Sequence, residues 1–230
     1  MSLKKMTLIS AALLFGSFQA NAHNVWIEQT DGSDYVVRFG HNPTEKYPEN
    51  KLKPVQAVMH DGKMETVSTT FKDGEAYFVM PENASIILLG YDNGVWSKLK
   101  NGRTVEKNKL EVPDAEFSKN PIKFSKNIVK WDDNATKVFN TPYELVPMTK
   151  PVAGQEFEIK ALKDGQPLEG MKIAKSEEDP GVLTNKDGLA KFKAEKGANK
   201  VYAEYKLDTP DNKEYGFSSW NMFNLLTLSN

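Results

Sequence analysis

His23, His41 and His60 are the only imidazoles in the 230 residues, and the first stands where its chemistry is richest. Ala20-Asn21-Ala22 has the small-x-small form that signal peptidase cuts, so cleavage after Ala22 makes His23 the first residue of a mature chain. An α-amine and an imidazole on one residue can chelate a single metal ion. The chain has no cysteine, which removes thiolates from the donor set. Amine and imidazole nitrogens are borderline donors that suit Ni2+, Co2+, Cu2+ or Zn2+. Both must lose a proton before they bind, so affinity is expected to fall below about pH 6.5.

A partner for His23 follows from the next residues. Val25-Trp26-Ile27-Glu28 and Tyr35-Val36-Val37-Arg38-Phe39 are β-branched and aromatic runs joined by Asp31-Gly32-Ser33-Asp34, the pattern of a β-hairpin. Counted outward from Gly32 and Ser33, paired residue numbers sum to about 64 to 66, which sets His23 opposite Gly40, His41 or Asn42. Cross-strand neighbours lie roughly 4.5 to 5.5 Å apart, close enough for His41 to complete a site begun by His23. His60 is taken as a third metal ligand. It ends a strand beside Asp61-Gly62, with Met59 and Met64 nearby as soft donors for copper or as core filling. Glu28, Glu45 and Tyr47 are candidate oxygen ligands or partners behind the ligands, and Trp26, Tyr91 and Trp96 read as core aromatics, one of which could wall the site.

The rest of the chain bounds where such a site works. Lys4 and Lys5 precede an apolar stretch from Leu8 to Phe18, too short for a membrane span and suited to a signal peptide over residues 1–22. No comparable apolar run follows, so the expectation is an exported, periplasmic chain with no membrane insertion after cleavage. Taking Lys4 and Lys5 from the 30 Lys+Arg leaves 28 against 31 Asp+Glu, a net of about −3, which points to neither nucleic acid nor an anionic membrane surface.

Short strands divided by turn dipeptides follow His23. Pro54–His60, Thr66–Phe71, Glu75–Met80, Ser85–Tyr91 and Val95–Leu99 form one series; Gln155–Leu162, Met171–Ala174, Leu189–Ala194, Lys200–Tyr205 and Trp220–Leu228 form another. Such spacing without a helical period indicates antiparallel sandwiches. The expected fold is all-β, with two immunoglobulin-like sandwiches after the leader. An N-terminal metal-binding domain spans 23–125, a connector 126–142 and a second domain 143–230. Residues 116–141 are rich in Lys and Asn and weakly patterned, with one helical turn expected at Ser125–Val129.

Three segments carry a family resemblance: Ala22-His23-Asn24-Val25-Trp26-Ile27-Glu28, the Gly-Val-Trp-Ser-Lys core within Tyr91–Gly102, and the turn-rich stretch from Gly154 to Phe192. Together they resemble the DUF4198 family, some of whose members accompany nickel or cobalt uptake transporters in the periplasm. The resemblance implies a metal-binding accessory protein with Ni2+ or Co2+ as cargo and inner-membrane transporter subunits as partners. A copper carrier with Cu2+ at an N-terminal histidine, a copper monooxygenase acting on polysaccharide and a plain adhesive scaffold are the alternatives. No Gly-x-Ser-x-Gly elbow, phosphate loop, His-Glu-x-x-His or dinucleotide fingerprint occurs, so the expectation is a binding protein and not an enzyme.

Overall fold

The computed structural model describes residues 23–41 and 43–227, with only the backbone for 221–227. The signal peptide expected at 1–22 lies outside the described residues. Among the latter there is no α-helix, only a 3-10 turn at Glu49–Lys51, and no helix is long and apolar enough to cross a membrane.

The N-terminal strands are β1 (Asn24–Gln29), β2 (Asp34–Gly40), β3 (Thr44–Glu45), β4 (Gln56–Met59), β5 (Met64–Thr66), β6 (Thr70–Lys72), β7 (Glu75–Val79), β8 (Ala84–Asp92), β9 (Trp96–Lys98), β10 (Thr104–Val105) and β11 (Phe117–Ile128). The remainder are β12 (Tyr143–Pro147), β13 (Glu156–Lys163), β14 (Gln166–Pro167), β15 (Lys172–Ala174), β16 (Val182–Leu183), β17 (Leu189–Lys193), β18 (Ala198–Asp208) and β19 (Phe217–Thr227). They make three sheets. A central one runs β16-β15-β18-β19-β11-β8-β4-β5, with β9 on β11 and β10 on β9. A second runs β1-β2-β7-β6 with β3 beside β2, and a third β12-β13-β14 with β17 beside β13.

Strand β8 shows why the layers stack this way. Successive strand residues point to opposite faces, and Ala84-Ser85-Ile86-Ile87-Leu88-Leu89 is buried throughout. Ile87, Leu89 and Tyr91 join Val25, Ile27, Val37 and Phe39 in one core. Ile86 and Leu88 join Tyr143, Leu145, Phe157 and Ile159 in another. A strand covered on both faces must be apolar on both. Strands from the expected 23–125 and 143–230 regions thus lie side by side in one sheet, β8 and β11 next to β19 and β18.

The connector expected from residue 126, and the helical turn at Ser125–Val129, are corrected. Phe117–Ile128 is strand β11, antiparallel to β8 and parallel to β19. Its polar composition hides a central strand because several of its buried polar groups find partners remote in sequence. Lys126 and Glu144 are each 2% exposed and form an ion pair at 2.9 Å. The hydroxyls of Ser97 and Ser118 lie 2.7 Å apart, and Asn127 donates to the Ile87 carbonyl at 3.2 Å. Buried charges persist when paired and hydrogen-bonded, and no local pattern reveals the pairing. The expected strand Thr66–Phe71 likewise divides into β5 and β6, which belong to different sheets.

Candidate metal centre

The hairpin β1–β2 sets the geometry. Its register pairs Gln29 with Tyr35 and ends with Asn24 opposite Gly40, so the next residue on each strand is a histidine. The His23 and His41 rings stand 5.0 Å apart, inclined at 42°. Gly40 lets the chain turn sharply here. Its φ is +102°, and an added Cβ would meet the Glu45 nitrogen at 3.1 Å, a conformation and a closeness that favour glycine. The chain then folds back into β3, pairing Phe39 with Glu45. That return brings the Glu45 carboxylate to His23, Nε2 to Oε1 at 2.7 Å.

The floor beneath the pair is aromatic. His23 stacks on Phe39 with centroids 5.1 Å apart and planes 15° from parallel, and Phe39 stacks on Tyr91 at 4.4 Å. Burial on this floor pushes the His23 imidazole below its usual pKa. Glu45 pulls the other way, while His41 and Lys123 add to the lowering. Lys123, 2% exposed on β11, is itself pushed down to about 7 by burial and then by Lys119. The site therefore favours a neutral His23 ring.

A carboxylate can only accept, so Nε2 of His23 carries the proton that Glu45 receives, and Nδ1 holds the lone pair. That arrangement, a carboxylate behind an imidazole, fixes the tautomer of a metal-binding histidine. At His41, Nε2 is buried with no hydrogen-bond partner. Such an atom costs about 1 to 3 kcal/mol, and a cation would meet it. Among the described residues no three of His, Cys, Asp and Glu converge as metal ligands. The pair fits a cation only with a further donor of another kind, and the α-amine of His23 is the one the leader's cleavage would create.

His60 lies elsewhere. It adjoins Met59, which pairs with Ala84 at one end of β8, and its amide donates to the Asn83 carbonyl at 2.9 Å. The His23 floor reaches Tyr91 at the other end. Seven residues at about 3.3 Å each separate the two ends by roughly 23 Å, so His60 shares no ion with the pair. Its Nδ1 meets Asp132 at 2.6 Å. Asn134 clamps the same corner, donating to the Met59 carbonyl at 3.0 Å.

The other candidates separate as cleanly. Tyr47 is buried, donates to the Val37 carbonyl at 2.9 Å and accepts from the Ala76 amide at 3.0 Å. Burial pushes its hydroxyl up to about 12, which suits a structural hydroxyl. Glu28 accepts from Trp26 Nε1 at 2.9 Å and Arg38 Nε at 3.0 Å. Trp96 donates to the Asn93 carbonyl. Met59 packs on the N-terminal core, and Met64 is 50% exposed. Two residues at the site escaped sequence reasoning. Gly40 carried a turn signal only once β3 was known, and Lys123 lay in the Lys- and Asn-rich stretch from 116 to 141, whose strand has no local pattern.

The family described as "Domain of unknown function (DUF4198)" matches residues 20–206. The chain belongs to the DUF4198 family. A Haemophilus influenzae protein described as uncharacterized is 47% identical to this DUF4198 protein over 216 residues, 94% of each chain. No solved structure matches it. The matched span of the DUF4198 protein covers His23, His41 and Glu45 and ends within β18.

Proposed function

We propose that this DUF4198 protein is a periplasmic carrier that binds a divalent transition metal, Ni2+ or Co2+, between His23 and His41 and passes it to an inner-membrane uptake transporter. The observation that carries the reading is the buried, unpartnered Nε2 of His41 beside His23. The ion would be held by the α-amine and Nδ1 of a cleaved His23 and by Nε2 of His41. Glu45 orients the first ring from behind, and the Phe39–Tyr91 floor keeps water from one side. Three nitrogens leave coordination positions open, and an acceptor's ligand can enter before the donor's leave. The third sheet, β12-β13-β14 with β17, would serve as the docking module.

Copper is the second reading, favoured by the same donor set. Three nitrogens without imposed octahedral geometry bind Cu2+ more tightly than Ni2+ or Co2+ by the Irving–Williams order. Calorimetric titration of protein beginning at His23 with Ni2+, Co2+, Cu2+ and Zn2+ ranks the metals. Repeating it with one residue added ahead of His23 tests the amine, whose loss from the chelate should weaken binding roughly 1000-fold, the scale of losing a tethered donor. Binding indifferent to the extension removes the amine from the site. No binding in either form leaves a scaffold as the better account.

A further inference from the structure

The outer face of the same hairpin carries a cleft that the carrier reading leaves unused. Asn24, Trp26 and Glu28 alternate with the core residues Val25 and Ile27, and Arg38 stands across from Trp26. These four side chains, with Thr44 at the rim, line an open cleft of about 530 Å³, within the range of small-molecule sites. Asn24 and Arg38 are diagonal neighbours across the hairpin, roughly 7 to 8 Å apart, so one small ligand can touch both.

The polar groups of the cleft are fixed, and their charges are already opposed. Arg38 donates through Nε to Glu28 at 3.0 Å and through Nη1 to the buried Glu75 at 2.7 Å. Glu28 also takes the Trp26 indole proton at 2.9 Å, which sets that ring as a wall, and Lys200 lies in the field of Glu28. A charged ligand would have to compete with pairs already made. The Arg38 and Glu28 side chains are nevertheless 26% and 45% exposed, so what they offer is hydrogen-bonding capacity without an unopposed charge. Among the described residues, the Arg38 bonds use Nε and Nη1, and Nη2 keeps its own pair of guanidinium N–H groups. Asn24 Oδ1 is buried with no partner and lacks a hydrogen to accept.

We infer that this cleft binds a neutral saccharide. A sugar hydroxyl both donates and accepts, so one hydroxyl can give its hydrogen to Asn24 Oδ1 while its neighbour accepts from Arg38 Nη2. Glu28 accepts at the mouth of the cleft, and the C–H groups of a pyranose lie along the Trp26 wall. A carboxylate or phosphate would find its cation already paired, and an apolar ligand would strand the Asn24 and Arg38 groups away from water. The inference goes beyond the carrier reading and is independent of it, because neither a metal nor a histidine nitrogen enters the binding.

Saturation-transfer NMR tests this on protein beginning at His23, in EDTA so that no metal takes part. The probes are the methyl glycosides of glucose, galactose and N-acetylglucosamine, with glucuronate as the anionic counterpart. At least one neutral glycoside should receive saturation, strongest at the C–H protons of one ring face, with glucuronate bound about tenfold less tightly because its charge finds no open partner. Trp26→Ala should weaken the glycoside about tenfold, the scale of a lost aromatic contact. Thr44→Trp, at an exposed rim position, should block the cleft and decides the matter if Trp26→Ala does not fold. No saturation of any neutral glycoside overturns the inference and leaves the carrier reading standing. Glucuronate bound as well as the neutral glycosides overturns it too, and so does equal transfer to wild type and Thr44→Trp.

Discussion

His23 and His60 each meet a carboxylate oxygen at hydrogen-bond distance, 2.7 Å from Glu45 and 2.6 Å from Asp132, yet the two corners do opposite things. At the His60 corner the network closes: Asp132 also accepts from the Asn134 amide at 2.8 Å, and Asn134 ties down the Met59 and His60 carbonyls. At the His23 corner it stays open, with a second imidazole 5.0 Å away whose Nε2 is buried and unmet. A carboxylate beside a histidine is therefore no mark of function by itself. The two corners differ in whether a buried polar atom remains unmatched once every local partner is counted.

The sharpest way to break this contrast is to remove the unmatched donor. His41→Ala should weaken metal binding about a hundredfold, on the order of 3 kcal/mol, in calorimetric titration of protein beginning at His23. A smaller change than threefold would mean that the open nitrogen is an unused cost. Glu45→Gln comes next, at about tenfold, because a carboxylate behind a ligand sets its tautomer and basicity. The same titration read against pH should show the variant binding less well across the whole range.

Acid should unfasten the two corners in separate windows. His23 is held below the ordinary imidazole value, so the metal-free folded state binds fewer protons there than the unfolded chain does. Stability tied to it is intact above about pH 6.5 and declines as the pH falls through that value. Burial alone would raise the Asp132 carboxyl, but hydrogen bonds from His60, the Asn134 amide and Ser85 hold it below its usual range. Its contribution is lost only as the pH falls below about 3.8. Melting temperature followed against pH should lose the first slope in His23→Gln and the second in Asp132→Asn. A single shared slope, abolished by either change, would mean the corners are coupled.

The smallest effect is expected where the network is closed. His60→Ala should leave metal affinity within about twofold, and it should cost about 1 kcal/mol of stability through the lost hydrogen bond. That corresponds to roughly 2 to 4 °C in melting temperature for a chain of this size. A large loss of metal affinity would rejoin His60 to the site.

Much of the His23–His41 pairing is legible in the sequence. The turn residues Gly32 and Ser33 and the alternating strands around them determined the register, because side-chain period and loop length leave little freedom in a hairpin. That register alone set His23 beside His41. The all-β class was equally readable from short β-branched runs between turn dipeptides. What the chain order concealed was decided by contacts between distant segments. Phe117–Ile128 became a central strand because Glu144, Ile87 and Ser97 meet its buried polar groups. His60 was parted from the other histidines by the length of β8, and its partner Asp132 lies 72 residues away in sequence. Local periodicity reports which face a residue occupies, whereas the partner that satisfies or abandons a buried polar atom is chosen only when the sheets stack. The open nitrogen of His41 and the cleft beside Trp26 belong to that second kind of fact.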